Sequence, residues 1–137
     1  MPEKRSVSIG FESRRDDGAQ RLRLRGELYR MSAGWTLVYR EPPDEGGSET
    51  VNTLVIEGGE LRLRRRGPVR LEQKFRQGER LAGQMETPYG RHEVEAFTTH
   101  LAARLAEFAG TVEWAYELRM QDQPVGTFRI RLDIQEE

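Results

Sequence analysis

Cysteine is absent from the 137 residues. Disulfides, thiolate metal ligands and a thiol nucleophile are therefore excluded. Long hydrophobic runs are missing too, and no apolar stretch approaches the roughly 20 residues that span a bilayer as a helix. The opening Met-Pro-Glu-Lys-Arg-Ser-Val carries charge where a secretory signal needs an apolar segment. These absences lead to the expectation of a soluble, cytoplasmic chain with no membrane contact. Charge of one sign is not in excess: 22 basic residues stand against 23 acidic ones, a formal net charge of −1. Phosphate-binding surfaces need a basic excess, so no nucleic-acid partner is expected. Lysine is nearly missing, with Lys4 and Lys74 alone, and Asn52 is the sole asparagine. Ion-pair networks suited to high temperature fit that composition, but codon bias in a GC-rich genome explains it more simply.

Catalytic signatures are also wanting. The sequence contains no G-x-S-x-G elbow, Walker loop, G-x-G-x-x-G or H-E-x-x-H. The serines at 6, 8, 13, 32 and 48 fall near turns or at outward positions, away from either histidine.

What the chain does have is strict alternation that restarts after each turn signal. Val7–Phe11, Leu22–Leu24, Leu61–Arg64, Val69–Phe75 and Phe128–Ile134 all read apolar, polar, apolar. Successive strand side chains point to opposite faces, so the pattern demands one dry face and one wet face. With 33% charged and only 36% hydrophobic residues, every strand can spend one face on water. Turn signals recur at Asp16-Asp17-Gly18, Ala33-Gly34, Pro42–Ser48, Gly58-Gly59, Gly67-Pro68, Gly78, Pro88-Tyr89-Gly90, Ala109-Gly110 and Asp122–Gly126. They divide the chain into about eight to ten strands and leave no room for a second domain. A long curled sheet with one coherent apolar face tends to close. The expected fold is all-β: one antiparallel barrel over residues 1–137.

One segment disagrees locally. Leu101, Leu105 and Phe108, with alanines between them, have helical spacing across 100–108. The alternating runs on either side favour a strand, with the chain turning at Ala109-Gly110.

Candidate functional residues are the polar and aromatic ones that share the apolar parity. Glu41 follows Trp35, Leu37 and Tyr39. Arg65 follows Leu61 and Leu63, and Gln73 sits between Leu71 and Phe75. His92, Val94, Ala96, Thr98 and His100 share one face by strict alternation, and Trp114 and Tyr116 share another. The expected lining is thus Trp35, Tyr39, Glu41, Arg65, Gln73, His92, Thr98, His100, Trp114 and Tyr116. A buried guanidinium, amide or imidazole needs a partner. Arg65 could cap one barrel end by pairing with Glu41, or hold an anionic ligand group. His92 and His100 lie eight residues apart, roughly 27 Å along a strand, and no third ligand completes a metal site. No metal or cofactor is expected.

The block Arg65-Arg66-Gly67-Pro68-Val69, Gln73-Lys74-Phe75-Arg76-Gln77-Gly78, Gly83 and Thr87-Pro88-Tyr89-Gly90 has a further meaning. With Tyr39-Arg40-Glu41 upstream and Gly126-Thr127-Phe128 downstream, it resembles the YwiB-like family of uncharacterised bacterial proteins across nearly the whole chain. The elements R-x-G, Q-x-F-x-x-G and P-[FY]-G carry the likeness together. The resemblance implies a calycin-like (lipocalin-like) barrel and favours a strand at 100–108. It supplies no activity and no catalytic residues, and the G-x-W motif of lipocalins is absent. The leading expectation is a small, partly apolar or anionic ligand inside the barrel. The alternative is a filled barrel serving as a non-enzymatic interaction module, with a homodimer open to it. An enzyme using Glu41, Arg65 and an inward histidine ranks last.

Overall fold

The computed structural model describes residues 2–43 and 47–137. Ten strands follow one another: β1 (Glu3–Arg15), β2 (Gly18–Met31), β3 (Gly34–Glu41), β4 (Thr50–Glu57), β5 (Glu60–Arg66), β6 (Arg70–Arg76), β7 (Arg80–Thr87), β8 (Gly90–Ala106), β9 (Ala109–Met120) and β10 (Gln123–Glu136). Each is antiparallel to its sequence neighbour, and β10 returns to β1 to close the barrel. Among the described residues no helix is long and apolar enough to cross a membrane. Part of the expected Pro42–Ser48 turn, residues 44–46, lies outside the described residues; Pro42 and Pro43 belong to no strand.

Alternation fixes the register. At the closing seam Ile9 faces Ile134 and Phe11 faces Leu132, all apolar and inward. Their neighbours Gly10 and Asp133, or Glu12 and Arg131, face outward. A slip of one residue would turn every strand inside out, so the two-sided pattern holds the pairing in place. Val7, Ile9, Leu28, Leu37, Leu54, Leu61 and Leu132 are fully buried. Phe75 lies among the aromatics, with ring centroids 5.9 Å from Trp114 and 4.7 Å from Tyr116.

Two features depart from simple alternation. Residues 100–106 are strand, but the register of β8 on β9 shifts between Thr98 and His100. Thr98 faces Tyr116, Thr99 is the extra residue of a bulge, and His100 faces Ala115. An extra residue reverses the parity of everything after it, so Leu101 pairs inward with Trp114. The second departure is the β8–β9 turn. It sits at Glu107 and Phe108, with φ of 51° and 63°, not at Ala109-Gly110. Phe108 is buried over the barrel end, edge-on to Trp35 at 5.2 Å. Gly110 is needed within β9 instead: its φ is 141°, and a Cβ there would lie 1.8 Å from the Arg104 carbonyl oxygen.

Phe75→Ala should lower stability by about 3–5 kcal/mol, read as a fall of at least about 10 °C in the thermal midpoint. A fall of only a degree or two would mean that the aromatic centre is not close-packed.

Candidate functional site

The inward residues at one end of the barrel are polar, and adjacent strands bring them together. In register, Tyr39 on β3 faces Asn52 on β4, and Asn52 faces Arg65 on β5; Glu41 faces Thr50. Asn52 Nδ2 donates to Glu41 Oε2 at 2.8 Å. Arg65 Nη1 approaches the same oxygen at 3.2 Å. Asn52 and Thr50 are buried. The Glu41 side chain keeps 14% exposure, while that of Arg65 keeps 38%. The carboxylate is thus fixed from two sides, and the guanidinium retains a face toward solvent.

The other wall of this mouth comes from β1, β9 and β10. Tyr116 stacks on Phe128 at 5.2 Å with 16° between the rings. The Arg15 guanidinium lies 5.5 Å from the Phe128 ring, within cation–π range. Burial pushes the Tyr116 phenol up to about 12, and the positive charges of Arg15 and Arg65 partly offset it. Burial also raises Tyr39, Glu41 adds to that shift, and Arg65 opposes it. Arg65 therefore acts on phenols carried by both walls.

Deeper in the barrel three buried polar atoms have no hydrogen-bond partner among the described residues: Thr98 Oγ1, Trp114 Nε1 and Gln73 Oε1. They comprise a hydroxyl, a donor and an acceptor. Leaving such a group unpaired costs about 1–3 kcal/mol. Gln73 also has a structural task. Pairing of β6 with β7 extends only from Arg70 to Gln73. Beyond it, Gln73 Nε2 donates to the carbonyls of Lys74 at 2.8 Å and Leu81 at 3.1 Å. Gly83 makes room, since a Cβ there would meet Gln73 Oε1 at 2.2 Å. Where the strands part, a groove of about 530 Å³ opens on the outer face, bordered by Arg62, Arg64, Glu72 and Lys74.

Of the residues singled out from sequence, Tyr39, Glu41, Arg65 and Tyr116 converge at the mouth. Gln73, Thr98 and Trp114 lie below it. His92 is half-buried at the start of β8, beside Met85 in register. Trp35 shares the inward face but belongs to the opposite end: it is six residues from Glu41 along β3, roughly 20 Å. His100 is a correction. The bulge at Thr99 turns it outward, where its Nε2 lies 3.0 Å from Glu113, which also binds Arg129 and Arg131 at 3.1 and 3.3 Å. The two histidines are therefore on opposite faces, and among the described residues no three His, Asp or Glu side chains form a metal-binding group. Asn52, Thr50, Arg15 and Phe128 complete the mouth and were missed. Counting back in twos from Ile56 and Leu54 reaches Asn52 and Thr50, and extending Phe11 by four residues reaches Arg15.

A family described as "Domain of unknown function (DUF1934)" matches residues 8–132. The crystal structure of ywiB protein from Bacillus subtilis superposes with a TM-score of 0.85 at 19% identity, over 99% of this chain and 95% of that one. That likeness is one of fold. No curated protein matches the chain.

The buried phenols make stability depend on alkaline pH. A free tyrosine ionises near about 10, and folded Tyr116 holds its proton to about 12. The contribution is fully present below the unfolded value. Above it the unfolded chain binds fewer protons, so stability falls as pH rises toward the folded value. In urea titrations between about pH 9 and about pH 11.5, Tyr116→Phe should lose stability less steeply than the wild type. Equal slopes would show that Tyr116 is not held protonated by the fold.

Proposed function

The chain belongs to the DUF1934 family, and from that premise we propose that its barrel is a binding module for one small, partly apolar molecule bearing an anionic group. The observation that carries this reading is the inward Arg65. Glu41 holds it through a single carboxylate oxygen, and the side chain stays 38% exposed above a mouth walled by Tyr39, Tyr116 and Phe128. A carboxylate or similar anion would bond the exposed part of the guanidinium, a charge-assisted contact worth about 1.5–3 kcal/mol. The apolar body of the ligand would lie against the Tyr116–Phe128 stack. A polar group at its far end would find Thr98, Trp114 and Gln73, whose unpaired atoms supply both donor and acceptor.

A second reading, a non-enzymatic interaction module with a filled barrel, is favoured by Tyr89. This residue is 93% exposed at the β7–β8 turn, where its ring is free to dock on a partner and its hydroxyl to bond there.

The test is thermal shift and calorimetry with medium-chain and aryl carboxylates beside their neutral amides. A carboxylate at a hundred times its Kd stabilises by about 2.7 kcal/mol. That shift should vanish in Arg65→Gln and be absent with the amides. A panel that moves neither protein, or a shift that survives in Arg65→Gln, would remove the basis for an anion site at the mouth.

A further inference from the structure

Strand β8 outruns its neighbour. β7 covers only Gly90–Phe97, and the turn after β6 covers Thr98 through Gly78 N–H to Thr98 O at 2.8 Å and Thr98 N–H to Glu79 O at 3.2 Å. The Leu101 N–H is met by a side chain, Gln77 Oε1, at 2.9 Å. From there to Ala106 the strand pairs with β9 alone. Backbone groups of an antiparallel strand alternate between its two sides. Because Leu101 N–H points away from β9, the N–H and C=O of Ala103 and Leu105 do so as well. The closed barrel thus has a short stretch of open edge here, as it also has along Gly18–Arg25 of β2, where Arg21, Arg23 and Arg25 supply charge.

That stretch carries a single protective charge, Arg104. Exposed edges are blunted by charge, proline or a covering element. Here the outward residues are Ala102, Arg104 and Ala106, whereas β10 shows Arg129, Arg131 and Asp133 on the same face. Ala103 is exposed, and Leu101 and Leu105 are only half-buried.

We propose that this edge joins two copies of the chain, β8 to β8, about a two-fold axis at Ala103. The occupant follows from the register. A symmetric antiparallel pair must match residues of one parity, and a centre at Ala103 uses every free backbone group but the Leu105 carbonyl, whose counterpart, the Leu101 N–H, Gln77 holds. With Ala103 opposite Ala103, Leu101 of each copy faces Leu105 of the other. The inner apolar face then continues across the joint, and the small alanines let the backbones approach. Arg104 stands opposite Ala102 of the other copy. Centring the pair on Arg104 would oppose two guanidinium groups and offer backbone atoms already bonded to β9.

Light scattering on the sized protein across a concentration series should give twice the 15.9 kDa chain mass. Ala103→Lys places two ammonium groups on the axis, and Ala103→Pro removes a donor that no strand of the same chain uses. Both should be monomeric with the circular dichroism melt of a folded barrel. Hydrogen exchange of the wild type provides a readout free of mutation: the Ala103 and Leu105 amides should become protected as concentration rises. A wild type that stays monomeric at millimolar concentration, a dimer that survives both substitutions, or amides equally protected in the monomer would each overturn the proposal.

Discussion

The rungs between β1 and β10 govern the rest of the molecule. Until they form, the chain is an open ten-stranded meander with two long edges and an apolar face that nothing covers. Once Ile9 meets Ile134 and Phe11 meets Leu132, every strand has a neighbour on both sides over part of its length and the apolar face becomes an interior. These contacts join the first and last strands of the chain, so closure carries the largest loop entropy in the fold. Strict alternation offsets it, since a single register satisfies all ten strands. The outer face does little of this. Its ion pairs, such as Arg64 with Glu72 at 3.1 Å and Arg80 with Glu95 at 3.3 Å, are exposed and worth little apiece.

Closure also makes the two ends different. At one, Phe108 folds over the opening, and the guanidinium groups of Arg5 and Arg30 lie 5.0 and 4.9 Å from its ring. That end is stoppered by an apolar side chain with cations outside it. At the other, the inward positions pass to Glu41, Thr50, Asn52 and Arg65, which satisfy one another in part and stay within reach of water. The asymmetry leaves one end apolar and closed and the other polar and partly open to water.

Strand number, face assignment and the Arg65–Glu41 contact were legible because each rests on period two, which local sequence carries directly. The position of His100 was not. Nothing in Thr98-Thr99-His100 marks a bulge; it lies where the Gln77–Glu79 turn docks on β8, a contact between residues 20 or so apart. The Glu107-Phe108 turn was hidden for a similar reason. Positive φ favours Gly or Asn, and here burial of Phe108 against Trp35 outweighs that preference while Gly110 serves a close backbone approach. Asn52 stood out only as a rarity of composition, since its purpose depends on Glu41 and Arg65 arriving from neighbouring strands.

The amide of Gln73 has a consequence for mechanics. Backbone rungs are the same whatever the side chains, so the girth of such a ring is ordinarily indifferent to substitution. Between Lys74 and Leu81, however, the two walls are tied through a side chain. The seam between β6 and β7 is thereby held, at one point on the circumference, by an element of sequence that a single codon can alter.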